Sequence, residues 1–218
     1  MNRDAWYRRG VTEMLMPIDL RRNPDARLQV SRIAAELFWR DGVAATRGED
    51  IAAAAGIATR TLWRYFRSKE SCVEPILAQL GRRFSTVLRA WPLEIGLADY
   101  LTAASVPGPA DFSTDDIAAM RIVVMGFDEP ALRSAWLMVC DEAEREAAAV
   151  FAPRLGLPAD ADAARQVAAS ISGAIRAQSD AMSRDYVTAG IVPRSEDVLE
   201  QLVTAIVDAS NGRVGPAV

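Results

Sequence analysis

Apolar residues recur at helical spacing along nearly the whole chain, and strand-like alternation is rare. That periodicity leaves helix packed on helix as the architecture open to it. Ala, Leu, Arg and Glu dominate, and all of them favour helices. Glycines and prolines cut the pattern into nine helical segments. The first runs from about Pro24 to Arg40, carries Leu28, Ile33, Ala34, Leu37 and Phe38 on one side, and is stopped by Gly42. Thr46 stands where an N-cap would open a short second helix containing Ile51 and Ala52, which Gly56 closes. A third short helix covers about 59–65 with Leu62 inward, and Ser68 stands as the cap of a fourth reaching about Arg89. Five more cover roughly 94–105, 114–127, 130–152, 160–188 and 195–210. Ser113 and Asp116 have the spacing of a capping box. The expected organisation is an all-α protein with a flexible arm over 1–23, a small helical domain over 24–70 and a larger one over 71–218.

Composition removes several chemistries. The 218 residues include no histidine, which excludes Ser-His-Asp and Cys-His catalysis and the commonest transition-metal ligand. Cys72 and Cys140 lie far apart without metal-ligand spacing and read as reduced thiols of a cytoplasmic protein. No run of about 18 apolar residues would span a membrane, and residues 1–22 lack the apolar stretch of a secretory signal. A helical enzyme is the competing class. Asp115 and Asp116 read better as a helix cap, and the acidic run through Asp141, Glu142, Glu144 and Glu146 reads better as a solvated face. No catalytic residue, metal ligand or cofactor is assigned.

The segment around Gly56 carries the functional signal. Two short helices joined by a glycine turn make a helix-turn-helix. Gly56 supplies the positive φ, and Ile51, Ala55, Ile57, Leu62 and Phe66 supply the apolar contact between the helices. The second helix then shows Thr59, Arg60, Thr61, Trp63, Arg64 and Tyr65 on or near its outward surface, where such a helix meets the DNA major groove. Charge agrees: residues 21–90 carry a net +6 and residues 91–218 a net −10. Lys69 is the only lysine among 25 basic residues. At the start of the fourth helix its ammonium is placed to hold a phosphate.

The segment from Ala26 to Leu77 resembles the DNA-binding domain of the tetracycline-repressor (TetR) family. The matching residues are Ala34-Ala35-Glu36-Leu37-Phe38, Gly42, Thr46, Ile51-Ala52, Ala55-Gly56-Ile57, Thr61-Leu62, Tyr65-Phe66 and Ser68-Lys69-Glu70. The resemblance implies a homodimer on near-palindromic double-stranded operator DNA. It also implies that Thr59, Arg60 and Thr61 face bases, that Trp63, Tyr65 and Lys69 hold the backbone, and that Thr46 and Arg47 approach phosphates. Three residues depart from the family pattern. Gly48 replaces an apolar residue, Ala58 replaces a capping Ser, and Trp63 replaces a Tyr. A regulator of this kind is expected to act as a repressor released by a small molecule. An activator, a ligand-independent regulator, or a dimeric binding protein without DNA affinity are the alternatives.

In the larger domain bulky apolar residues crowd the fifth to eighth helices. The resemblance implies that a subset lines a ligand cavity. Met120, Met125, Phe127 and Trp136 are the expected walls, since Met and aromatics suit an adaptable apolar pocket. Arg121, Gln178 and Asp180 are the expected polar anchors. The last two helices carry Val167, Ile171, Ile175, Leu199, Leu202, Val203 and Ile206 at helical spacing, a pattern suited to an intersubunit four-helix bundle.

Overall fold

The computed structural model describes residues 25–104 and 112–216. The expected arm over 1–23 therefore lies outside the described residues. Nine α-helices are present among them: α1 (Ala26–Asp41), α2 (Gly48–Ala54), α3 (Thr59–Tyr65), α4 (Glu74–Arg89), α5 (Leu97–Ala103), α6 (Thr114–Met125), α7 (Pro130–Phe151), α8 (Asp162–Arg184) and α9 (Ser195–Ala209). No strand occurs among the described residues. Two compact units divide the chain, one ending at Ile76 and the other beginning at Leu77.

The first unit is built on α1. Gly42 ends this helix at φ 87°, with its N–H donating to Phe38 O. Ala26, Val30, Ala34 and Phe38 are fully buried on the inner face of α1, and Ile51, Leu62, Cys72, Val73 and Ile76 are equally buried in the same unit. The turn after α2 closes as a Schellman motif: Ile57 N–H donates to Ala52 O, Gly56 N–H donates to Ala53 O, and Gly56 takes φ 66°. The unit runs on to Ile76 because the Ile76 amide donates to the buried Ser31 hydroxyl on α1 at 3.0 Å.

Two local expectations need correction. Thr46 does not cap α2. Its hydroxyl points inward and donates to Gly42 O at 2.8 Å, the N-cap position falls to Arg47, and Asp50 reaches back to accept from the Arg47 amide at 2.8 Å. The fourth helix does not begin at Ser68. A 3₁₀ turn over Glu70–Val73 comes first, with Ser68 and Ser71 exchanging amide-to-hydroxyl bonds of 3.1 and 3.0 Å. Pro75 accounts for this: lacking an N–H, it can occupy only the first turn of an α-helix, so α4 starts at Glu74.

In the second unit α7 packs along α8, and α9 returns along α8. The core gathers Leu88, Trp91, Leu97, Leu101, Phe151, Val167, Ile171 and Ile206. The capping box at α6 is present: Ser113 Oγ accepts from the Asp116 amide at 3.2 Å, and Asp116 Oδ2 accepts from the Ser113 amide at 2.8 Å. No described helix is long and apolar enough to cross a membrane.

Candidate nucleic-acid interface and ligand cavity

Helix α3 is seven residues long and buries only Leu62. Its remaining side chains are therefore free to face outward or pack along the unit's rim. Arg60, Trp63 and Arg64 are exposed, while Thr59, Thr61 and Tyr65 are half-buried. Arg60 has no ion-pair partner among the described residues. Arg64 donates to the Tyr65 hydroxyl at 3.0 Å, and its guanidinium stands 4.8 Å from the Tyr65 ring centroid. The N-cap position is Ala58, which has no side chain able to accept a bond from the first-turn amides.

The other expected contacts are placed differently. Arg47 is exposed and pairs with Asp50, whose carboxyl is held below its usual range first by the Arg47 guanidinium and then by the Arg47 amide. Thr46 is buried. The Lys69 ammonium donates to Val43 O at 2.6 Å and Thr46 O at 2.8 Å, so it fastens the α1–α2 connection from 23 and 26 residues away. Gly48, the first residue of α2, is buried.

Residues 25–76 contain eight basic and seven acidic residues. The positive excess read from the sequence therefore sits mostly on both sides of this unit, at Arg21 and Arg22 and at Arg82, Arg83 and Arg89. Within the unit, Arg40 pairs with Asp41 and Arg67 with Glu74.

The second unit contains a cavity of about 460 Å³ between α4, α7 and α8. Phe84, Leu88, Trp136 and Phe151 form apolar wall, and α8 contributes Ser172, Ile175, Arg176 and Ser179 from one face. Of the seven ligand residues expected from sequence, Trp136 lines this cavity. Met120 is fully buried, and Arg121 and Met125 are half-buried elsewhere. Phe127 is exposed, with the guanidinium of Arg184 at 4.3 Å and that of Arg133 at 5.6 Å from its ring centroid. Gln178 donates to Gln201 on α9 at 3.1 Å. Asp180 is taken up by Arg133, which donates through both terminal nitrogens at 3.0 and 2.7 Å, and by the Trp136 indole at 2.8 Å. Sequence reasoning did not assign Phe84 or the polar face of α8 to a site. The spacing of Ser172, Ile175, Arg176 and Ser179 was the available signal. No group of residues suited to hold a metal ion occurs among the described residues.

Comparison with known proteins agrees with this geometry. The family model described as bacterial regulatory proteins, tetR family, matches residues 32–76. Salmonella enterica GusR is similar in structure, with a TM-score of 0.51 and 20% identity over 85% of this chain and 94% of its own. A protein from Rhodococcus sp. described as a TetR-family transcriptional regulator gives a TM-score of 0.50 and 15% identity, covering 84% of this chain and 98% of its own. No curated protein matches. At these identities the solved structures establish the fold, and the family match covers the unit that holds α1 to α3. Residues 32–76 are thus a DNA-binding domain of the kind found in bacterial regulatory proteins of the tetR family, on an all-helical fold similar to that of such proteins.

Proposed function

We propose that the protein is a one-component repressor. As a homodimer it binds a near-palindromic operator through α3, and a small, mostly apolar ligand in the α4–α7–α8 cavity releases it. The observation that carries this reading is the outer face of α3, where Arg60, Trp63 and Arg64 stand exposed on a helix fixed by the turn at Gly56. Thr59, Arg60 and Thr61 read base edges in this proposal. Arg47, Trp63, Arg64 and Tyr65 engage the sugar-phosphate backbone. Pairing through α8 and α9 is supported by Leu199, Leu202 and Val203, which a single chain leaves only half-buried.

Release follows from unequal affinity: the ligand must prefer the conformation that does not bind DNA. Helix α4 is the element through which this would act, because its first turn belongs to the DNA-binding unit and its later residues line the cavity. The decisive experiment is fluorescence anisotropy against the duplex upstream of the protein's own gene, beside a scrambled duplex. Specific binding near 10⁻⁸ M, about 10³-fold tighter than to scrambled DNA, is the expected result. Equal, weak binding to both would defeat the reading. Light scattering reports the dimer, and a promoter fusion with the gene deleted reports repression as a rise in expression.

A further inference from the structure

Two departures from the family pattern, Gly48 and Trp63, meet in space. A Cβ built on Gly48 would overlap Cζ2 and Cη2 of the Trp63 indole and lie 3.3 Å from Cε2, where real Cβ contacts stay beyond 3.0 Å. Gly48 is not among the positive-φ residues, so its backbone would accept any side chain. With the indole where it stands, it is space and not backbone conformation that favours glycine here. The indole of α3 lies against the bare backbone at the start of α2.

The backbone side of this contact cannot easily yield. Two residues before Gly48, Thr46 O is held by the Lys69 ammonium at 2.8 Å, and the neighbouring Arg47 amide is held by Asp50 Oδ2 at 2.8 Å. Trp63 is 42% exposed, so the indole is the partner free to move. Its N–H has no acceptor among the described residues, so Gly48 seats a group that carries an unused donor. The buried contacts of Ile51, Ala55 and Leu62 hold α2 to α3 from the core side. The Gly48–Trp63 contact holds them from the outer side, next to Arg60 and Arg64.

We infer that Gly48 and Trp63 form one size-matched unit that fixes the recognition helix and its indole for DNA reading, with Gly48 acting as a positioning residue through Trp63. This rests on the DNA-binding reading above. The test is a double-mutant cycle of Gly48→Ala and Trp63→Phe in the full-length chain, with operator affinity read by anisotropy and the Trp63 indole N–H read by two-dimensional NMR without DNA. Gly48→Ala should weaken operator binding by about tenfold or more and shift the Trp63 indole resonance. Trp63→Phe removes the overlapping ring, so adding Gly48→Ala to it should cost clearly less than Gly48→Ala costs alone. Penalties that simply add, or an unmoved indole resonance in Gly48→Ala, overturn the pairing. The resonance is independent of DNA, so it separates failure of the pairing from failure of the DNA-binding reading, which shows instead as a wild-type protein that ignores sequence.

Discussion

Lys69 illustrates how much one side chain carries. A compact ammonium with three donors reaches two carbonyls in the α1–α2 connection, a task for which the planar fork of arginine is poorly shaped. The sequence marked this lysine as special, but its partners lie 23 and 26 residues upstream, a separation that no local pattern reveals. Lys69→Ala should destabilise the DNA-binding unit by about 1–3 kcal/mol, seen as a lower melting temperature. With the ammonium bound to carbonyls, the salt dependence of DNA binding should stay unchanged. A slope reduced by about one would place Lys69 on a phosphate instead. Cys72 is buried and Cys140 half-buried at the cavity, and both thiols are held in the neutral form. Desolvation pushes Cys72 and Cys140 from an ordinary 9.0 up to about 12. The unfolded chain therefore ionises first as pH rises, so the stability these thiols lend is whole below pH 9.0 and is lost toward about 12. At pH 8 a thiol reagent should not label the fully buried Cys72 at an appreciable rate until the protein unfolds, and its rapid labelling in the native protein would contradict that burial.

Among the elements, α3 and the α6 capping box were fully legible. Both are set by neighbours within four residues, and the boundaries of α3 coincide with the expected 59–65. The start of α4 was not, because Ser68 has the chemistry of a cap and only the missing amide of Pro75 moves the helix onset to Glu74. Thr46 misled in the same way: a capping side chain was drawn inward by Gly42 O. Helix α3 lacks a cap altogether at Ala58. Ala58→Ser should stabilise the protein by about 1 kcal/mol, measured as a rise in the denaturation midpoint. An unchanged midpoint would mean that the α3 amides are already satisfied by solvent.

Over the whole molecule, the all-helical class followed from periodicity, whereas the cavity did not. Trp136 was recognisable as an aromatic wall, but α8 presents Ser172, Arg176 and Ser179 to a space that exists only once α4 and α7 are in place. Asp180 looked like a ligand anchor and is instead consumed by Arg133 and Trp136. The charge pattern also changes meaning with the division into units. With eight basic and seven acidic residues in 25–76, electrostatic attraction for DNA depends heavily on what flanks that unit. Removing residues 1–22, which carry Arg3, Arg8, Arg9, Arg21 and Arg22, should weaken binding to all DNA sequences and flatten the salt dependence. An unchanged slope would leave the phosphate contacts to arginines outside the removed segment, Arg47 and Arg64 among them. Because Lys69 is the only side-chain amine in the chain and stands as an ammonium with its N–H groups donated to two carbonyls, it is also a built-in chemical clock. An acylating reagent can modify that side chain only when the α1–α2 connection lets go, so its rate of modification counts the openings of the DNA-binding unit directly, with or without an operator bound.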